Sequence, residues 1–388
     1  MDARVAGMTL ADMDGHGEIL ARARAAAGHF AVYGDFVAIE AFGAGHINRS
    51  FALTLDQAGR RLRYLLQEIN TGVFRNPEAV MRNVVRVTRH IKARLEAEGK
   101  DLVSRRVLSV VPSRDGPPWV RDDAGGFWRC YLFIEGARGH EVADSPASAY
   151  SLGEAIGAFQ SLLADLPPPR LEETIPGFHD ARRRYAAFEQ AVEGDTAGRA
   201  GGAAAEIGFF RRNREGVDRI LAALESGAIP ERITHNDTKM NNLLLDEATG
   251  EVICVIDLDT VMPGASAYDF GDLARTVPAT AAEDDPDPQR MGLSLPLFEA
   301  LARGYAAGTG GGHSFLTPAE RELLPWGARI ITTIQGVRFL TDWLEGDRYY
   351  QVQRPDHNLH RCQTQIALVR SMERQWGAML AATEAAFS

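Results

Sequence analysis

Cysteine is scarce: the 388 residues hold three, Cys130, Cys254 and Cys362. They lie far apart and none forms a CxxC pair, which excludes a disulfide framework and a zinc ribbon. Each sits in an apolar or periodic stretch, so a buried, inert thiol is expected at all three positions. Long apolar runs are missing too. None approaches the ~20 residues that span a bilayer, so no membrane partner is expected. The N-terminus lacks the charged-then-apolar layout of a secretory signal, and a reducing cytoplasm fits. A basic excess is also lacking. Lys and Arg number 42 against 52 Asp and Glu, a formal net charge of −10. Duplex nucleic acid is therefore not expected as a partner, because its counterions are displaced by clustered cations. No internal repeat and no heptad seam is visible, which points to a monomer.

What the chain does contain changes character part-way along. Phe36 to Phe42 is a mostly apolar run, and Gly43-Ala44-Gly45-His46-Ile47-Asn48 is a loop. Phe51 to Leu55 and Arg63 to Ile69 are strand-like around a turn containing Gly59. Asn76-Pro77 opens a helical period carried by Val80, Val84, Val87 and Ile91. Val107 to Val111 and Phe127 to Ile134 complete the strand candidates. After Glu135-Gly136 helical periods dominate: Tyr150 to Ala164, Ala181 to Val192, Ala204 to Leu224, Trp326 to Leu344 with Pro325 just before it, and Leu359 to Ala382. A strand-loop-strand stretch from Ile233 to Val261 interrupts them. The pattern predicts an α+β protein with a small mixed lobe, then a larger and mostly helical one. The acidic, Pro-broken segment Glu283 to Pro288 reads as a solvated loop.

The strongest chemical signal is Thr234-His235-Asn236-Asp237-Thr238-Lys239-Met240-Asn241-Asn242. A short apolar strand, a turn at Asp246 to Gly250 and a second strand follow, closed by Asp257-Leu258-Asp259. Two strands flanking a turn bring Asp237, Asn242 and Asp257 near one another. Phosphoryl transfer needs such a group: a carboxylate to orient the attacking hydroxyl, and hard oxygen ligands for a divalent metal.

The spacing His-x-Asp-x4-Asn followed by Ile-Asp resembles the aminoglycoside phosphotransferase and protein-kinase-like superfamily. The resemblance implies Asp237 as catalytic base and Asn242 with Asp257 as Mg2+ ligands. It also implies ATP as co-substrate and a bilobal kinase-like fold. On that fold, residues 1–134 would form the nucleotide-binding lobe and residues 135–388 the catalytic and substrate-binding lobe. His235 would shape the loop, and Asp259 would add a contact near the metal. Asp269 and Asp272, in Tyr268 to Arg275, read as caps and anchors of the catalytic loop.

In a kinase-like first lobe the Gly43 to Asn48 loop would let backbone N–H groups approach phosphate, with Gly43, Gly45 and His46 as contacts. The absent third glycine, and a following strand rather than a helix, argue against a Rossmann site. Protein kinases carry a lysine on the third strand. Here the run Leu65-Leu66-Gln67-Glu68-Ile69 has none. Gln67 offers an amide donor, and His46 or Arg82 are cationic substitutes, although Arg82 could equally pair with Glu68. Backbone groups around Phe133 and Glu135 would meet the purine edge.

Finer resemblance is to the N-acetylhexosamine 1-kinase branch. It lies in Gly45 to Asn48, Gln67 to Phe74, His235 to Asn242, Ile256 to Gly264, Tyr268 to Asp272, Arg338 to Asp347 and Pro355 to Leu359. It implies phosphate transfer to the anomeric hydroxyl of N-acetylglucosamine or N-acetylgalactosamine. Arg338, Asp342 and Tyr349 are the expected sugar contacts, with Asp237. Phe339, Leu340 and Trp343 could equally be helix core, and Arg338 with Asp342 an i,i+4 ion pair. Other small alcohols, such as an aminoglycoside, choline or homoserine, are the alternative acceptors, and a non-catalytic nucleotide-binding regulator is a further alternative.

Overall fold

A computed structural model describes residues 10–43, 47–139 and 143–388, with side chains from residue 17 onward. Gly45 and His46, both expected phosphate contacts, lie outside the described residues. The chain divides into two compact units, Met1–Glu135 and Gly136–Ser388.

The first unit holds α1 (Leu10–Ala27), β1 (Asp35–Ala41), β2 (Arg49–Gln57), β3 (Arg60–Ile69), α2 (Pro77–Ala97), the single turn α3 (Val103–Arg106), β4 (Val110–Val111), β5 (Val120–Arg121) and β6 (Phe127–Leu132). The strands form one antiparallel sheet in the order β1-β2-β3-β6-β4, with β5 also on β6. Side chains alternate across a strand, so every second residue shares a face. Phe51, Leu53, Leu55, Tyr64, Leu66, Trp128 and Cys130 share one, buried with Ala23, Ala26 and Phe30 in a single cluster. Burying one such side chain is worth about 1.5–3 kcal/mol, which fixes the register. α2 starts where Asn76 and Pro77 imply: the Asn76 side chain accepts from the Ala79 N–H at 3.2 Å. α1 carries little apolar periodicity and was not anticipated. Arg82 reaches Glu78 at 4.0 Å, while Glu68 pairs with Arg22 and Arg49. The proposed Arg82–Glu68 pair is thus not formed.

The second unit holds β7 (Ala137–Gly139), α4 (Pro146–Leu163), α5 (Ala181–Gly194), α6 (Ala204–Arg212), α7 (Arg219–Glu225), β8 (Arg232–Thr234), β9 (Leu243–Asp246), β10 (Val252–Val255), β11 (Met262–Gly264), α8 (Ser266–Thr276), α9 (Leu295–Gly308), α10 (Pro318–Leu344), α11 (His357–Arg374) and α12 (Trp376–Ala386). Two small antiparallel sheets, β10-β9-β7 and β11-β8, frame the loop from Asn236 to Asn242. The helices bury one large apolar cluster that includes Phe270, Phe298, Tyr305, Phe339, Leu340 and Trp343. Those last three are therefore core residues.

Several boundaries differ from expectation. The Ala204–Leu224 period is two helices, because Gly216 at φ +77° breaks the turn between them. The Leu359–Ala382 period likewise divides at Gln375. Pro325 lies inside α10 rather than at its start. The true start is a capping box in which Thr317 accepts from the Glu320 N–H and Glu320 accepts from the Thr317 N–H, with Pro318 at the first helical position. The acidic segment is not simply solvated. Glu283 pairs with Arg275, Asp285 with Arg290, and Asp284 with Arg354 and His357. All three cysteines are buried and unbonded, as expected. Among the described residues no helix is long and apolar enough to cross a membrane.

Candidate active site

β8 and β11 pair through Thr234 and Met262, so the chain leaves the sheet at His235 with a fixed direction. Asn236 sits at φ +68°, a left-handed position that asparagine tolerates better than most residues. Its side chain repays the strain by donating to the carbonyls of Thr234 at 3.1 Å and Thr260 at 2.9 Å. The loop hangs from one buried carboxylate. Asp269 Oδ1 accepts from the Asn236 N–H at 2.7 Å, and Oδ2 accepts from the His235 N–H at 2.8 Å and from Gln160 Nε2 at 2.7 Å. Its backbone carbonyl accepts from the Thr238 hydroxyl at 2.6 Å. Burial raises the carboxyl's pKa, and the donors act against that rise. Three donors on two oxygens are satisfied by a group that accepts at both, which is the ionised form. Asp269 is thus the anchor that the sequence implied.

His235 is fully buried. Its Nε2 lies 2.8 Å from the Ile256 carbonyl, and its Nδ1 accepts from the Asp237 N–H at 3.3 Å. This pattern assigns the ring proton to Nε2. Ile256 also donates its N–H to the Asn242 carbonyl at 2.9 Å. Asp257, one residue on, therefore leaves a peptide unit pinned to both ends of the catalytic loop. It turns at φ +59°, ψ +56° into the short helical turn Leu258–Thr260. That local bend sets its side chain apart from the strand direction of β10.

Asp237 Oδ2 accepts from Asn242 Nδ2 at 3.1 Å and lies 3.0 Å from Lys239 Nζ. Burial pushes the Asp237 carboxyl up, but the charge and hydrogen bond of Lys239, with the charge of Arg275, outweigh it and hold the group below the usual aspartate value. Lys239 is raised in turn, chiefly by Asp237, with a contribution from Asp257. The sequence reading gave Lys239 no role. Its place two residues after Asp237, in a loop tight enough to turn it back, was the available signal.

Asn242 spends its amide nitrogen on the Asp237 side chain and carbonyl, the latter at 2.7 Å, which leaves its amide oxygen as the atom suited to a metal. An amide oxygen and a carboxylate from Asp257 form a hard donor set. Magnesium is commonly held by one or two protein oxygens while substrate phosphates complete its octahedron. Among the described residues no cluster of three His, Cys, Asp or Glu side chains forms a metal cage. These two donors suit a metal whose remaining ligands come from substrate phosphates.

A second cluster adjoins this loop. His179 Nε2 lies 3.1 Å from the Asn236 carbonyl, and its ring packs on Phe178 and Tyr268. Burial lowers its pKa to about 3, helped by the charge of Arg338. Arg338 lies over the rings of Phe178, Tyr349 and Tyr350 at 5.5–5.8 Å, and its Nη1 donates to Gln335 Oε1. Arg184 donates to the Phe178 carbonyl at 2.9 Å, and its buried Nε has no hydrogen-bond partner among the described residues. Burial and Arg338 lower its pKa to about 10. Arg184 and His179 were not anticipated. Asp342 does not pair with Arg338. Its Oδ1 accepts from the Arg348 and Tyr349 N–H groups, and its Oδ2 from the Tyr350 N–H and Asn358 Nδ2. It holds the loop that carries the two tyrosines.

In the first unit Gln67 links Ser50 Oγ and Arg129 Nε, each at 2.9 Å. Gly43 has φ +78°, and no described atom lies within 4 Å of where its side chain would stand. The Phe133 ring packs edge-on against Phe42 and lies under Arg63. The Glu135 side chain pairs with Arg63, and its carbonyl accepts from Arg105 at 2.8 Å.

Residues 38–326 match the APH phosphotransferase enzyme family. The chain belongs to that family. Solved structures agree at the level of fold. Choline kinase from Cryptosporidium parvum is 12% identical, with a TM-score of 0.55, covering 96% of this chain and 99% of its own. An aminoglycoside phosphotransferase from Alicyclobacillus acidocaldarius is 14% identical, with a TM-score of 0.53 and 94% of each chain covered. The GDP complex of a mutant aminoglycoside 2'-phosphotransferase is 11% identical, with a TM-score of 0.50, covering 89% and 94%. The α+β class, with an antiparallel sheet first and a mostly helical remainder, is that of these phosphotransferase-family folds.

Proposed function

We propose that this phosphotransferase moves the γ-phosphate of ATP to the anomeric hydroxyl of an N-acetylhexosamine, giving the sugar 1-phosphate. The observation that carries the reading is the Asp237 carboxylate. It is kept ionised by Lys239, oriented by Asn242, and adjoined by the arginine and tyrosine cluster around Phe178. Asp237 accepts the hydroxyl proton while the sugar oxygen bonds to the γ-phosphorus and the bond to ADP breaks. Lys239 offsets charge on the transferring group. Asn242 and Asp257 would hold Mg2+, which neutralises the phosphate oxygens when bound. Gly43, Gln67 and backbone groups near Phe133 and Glu135 are the proposed nucleotide contacts, and the protein acts as a monomer.

The arginines bear on the acceptor. A cationic nitrogen ~6 Å from one guanidinium would cost about 3 kcal/mol at an effective dielectric of ~20, roughly 100-fold in binding. Arg184 and Arg338 together disfavour an aminoglycoside or choline and suit hydroxyl and acyl oxygens. Arg338 and Tyr349 are the proposed sugar contacts, with Asp342 acting through the Tyr349 loop.

Phosphorus NMR after incubation with ATP, Mg2+ and N-acetylhexosamines tests the reading. A sugar 1-phosphate signal is expected. Turnover of aminoglycosides or choline with none of the N-acetylhexosamines would overturn it.

A further inference from the structure

A cation drawn out of water is costly unless a counter-charge meets it. In the second unit Arg232 meets Glu320, and Arg275 meets Asp272 and Glu283. Arg184 and Arg338 differ. Both are half-buried, and neither reaches a carboxylate among the described residues. They converge on Phe178: Arg184 donates to its carbonyl, and Arg338 lies over its ring and those of Tyr349 and Tyr350. The next residue, His179, is bonded to the Asn236 carbonyl, and Asn236 precedes Asp237. The pair thus adjoins the proposed base. Its neighbours do not compensate it. Burial keeps His179 and Tyr350 uncharged at neutral pH. The charge of Asp237 bears on Arg338, but that carboxylate is already paired with Lys239 at 3.0 Å. Tyr349 remains 58% exposed, a ring that a sugar face can cover.

We propose that the acceptor carries an oxyanion, a carboxylate or a phosphate, which Arg184 and Arg338 bind together. The proposal rests on the reading of the protein as an N-acetylhexosamine kinase and narrows it: the preferred sugar is an acidic derivative rather than the neutral parent. Two guanidiniums gathered at one residue repel each other until a negative group joins them. Their planar forks match paired oxygens of either anion. The rings around Arg338 lower the local dielectric, where such a pair is stronger than in water.

Steady-state kinetics of the full chain with ATP and Mg2+ test this on N-acetylglucosamine, its 6-uronic acid, the methyl ester of that acid, and the 6-phosphate. The ester keeps the shape of the acid and removes its charge. At least one anionic sugar is expected to exceed the neutral parent in kcat/KM by roughly 10- to 100-fold, the worth of a charge-assisted contact. A lead for the acid over its ester identifies a carboxylate, and a lead for the 6-phosphate identifies a phosphate. Arg184→Gln and Arg338→Gln should each shrink the preference about tenfold. Equal kcat/KM for the neutral and both anionic sugars would overturn the proposal, as would a preference that survives both substitutions unchanged. If the variants do not fold, the unaltered protein decides: an acid no better than its ester, with the 6-phosphate no better than the parent, overturns it. Should no sugar turn over, the kinase reading of the acceptor falls, and the same ratios taken as dissociation constants by calorimetry decide the charge preference separately.

Discussion

Replacing Asp269 by asparagine changes one atom in the support of the catalytic loop. Both carboxylate oxygens accept, and their three donors are the His235 and Asn236 amides and Gln160. An asparagine can place its amide nitrogen best where a single donor stands, opposite the Asn236 N–H. One charge-assisted bond, worth about 1.5–3 kcal/mol, is then lost, and a buried N–H is left unmatched at a further ~1–3 kcal/mol. Burying a neutral side chain is easier than burying a carboxylate, which offsets part of this. The net expectation is a loss of about 2–4 kcal/mol. At ~2–4 °C per kcal/mol for a unit of this size, the melting temperature should fall roughly 5–15 °C. Asn236 precedes Asp237, so release of its amide should also displace the proposed base, and a shift of ~1 Å can cost ~100-fold in turnover. Calorimetry and steady-state kinetics on Asp269→Asn measure both. A melting temperature within 2 °C of the parent, ~1 kcal/mol or less, with turnover within twofold, would refute the claim that this carboxylate carries the loop.

Asp237→Asn should lower kcat by ~100- to 10,000-fold while leaving nucleotide affinity within a few-fold, as titration and single-turnover kinetics would show. Asp257→Ala should abolish the Mg2+-dependent part of ATP affinity, read by titrating nucleotide with and without metal. His179 has its folded pKa lowered from 6.5 to about 3 by burial, so its stabilising contribution is present above pH 6.5 and is lost as pH falls through that window. By pH 5 the loss should be about 1–2 kcal/mol in denaturant titrations, and His179→Gln should remove that slope. Gly304→Ala places a methyl on the Tyr150 carbonyl and should cost about 1–3 kcal/mol in denaturant titrations.

Much of the site was legible because its chemistry is local. His235 to Asn242 and Ile256-Asp257 are contiguous motifs, and a turn between two short strands suffices to bring them together. Asn76 with Pro77 marked the start of α2 for the same reason. What stayed hidden depends on tertiary placement. Arg129 is one residue in a mostly apolar strand, and only the register across β3 and β6 sets it beside Gln67. Arg184 and His179 lie some fifty residues from the loop they flank, and no period marks them. Asp342 was read as facing a ligand, whereas the loop after α10 folds back to use both its oxygens. Two misreadings had signals in plain view. Thr317-Pro318 with Glu320 spells a helix start that Pro325 obscured, and Glu283 and Asp285 have arginines eight and five residues away, at Arg275 and Arg290.

The crossing of α4 and α9 leaves no room for side chains. A methyl on Gly153, Gly157, Gly304 or Gly308 would overlap backbone of the facing helix. Tyr305 on α9 donates to Gln160 on α4, which in turn reaches Asp269. Two bare backbones in contact thus act as a fixed ruler, and its far mark is Asp237, the proposed proton acceptor. Small volume changes at these glycines should be felt as altered chemistry rather than only as altered heat resistance.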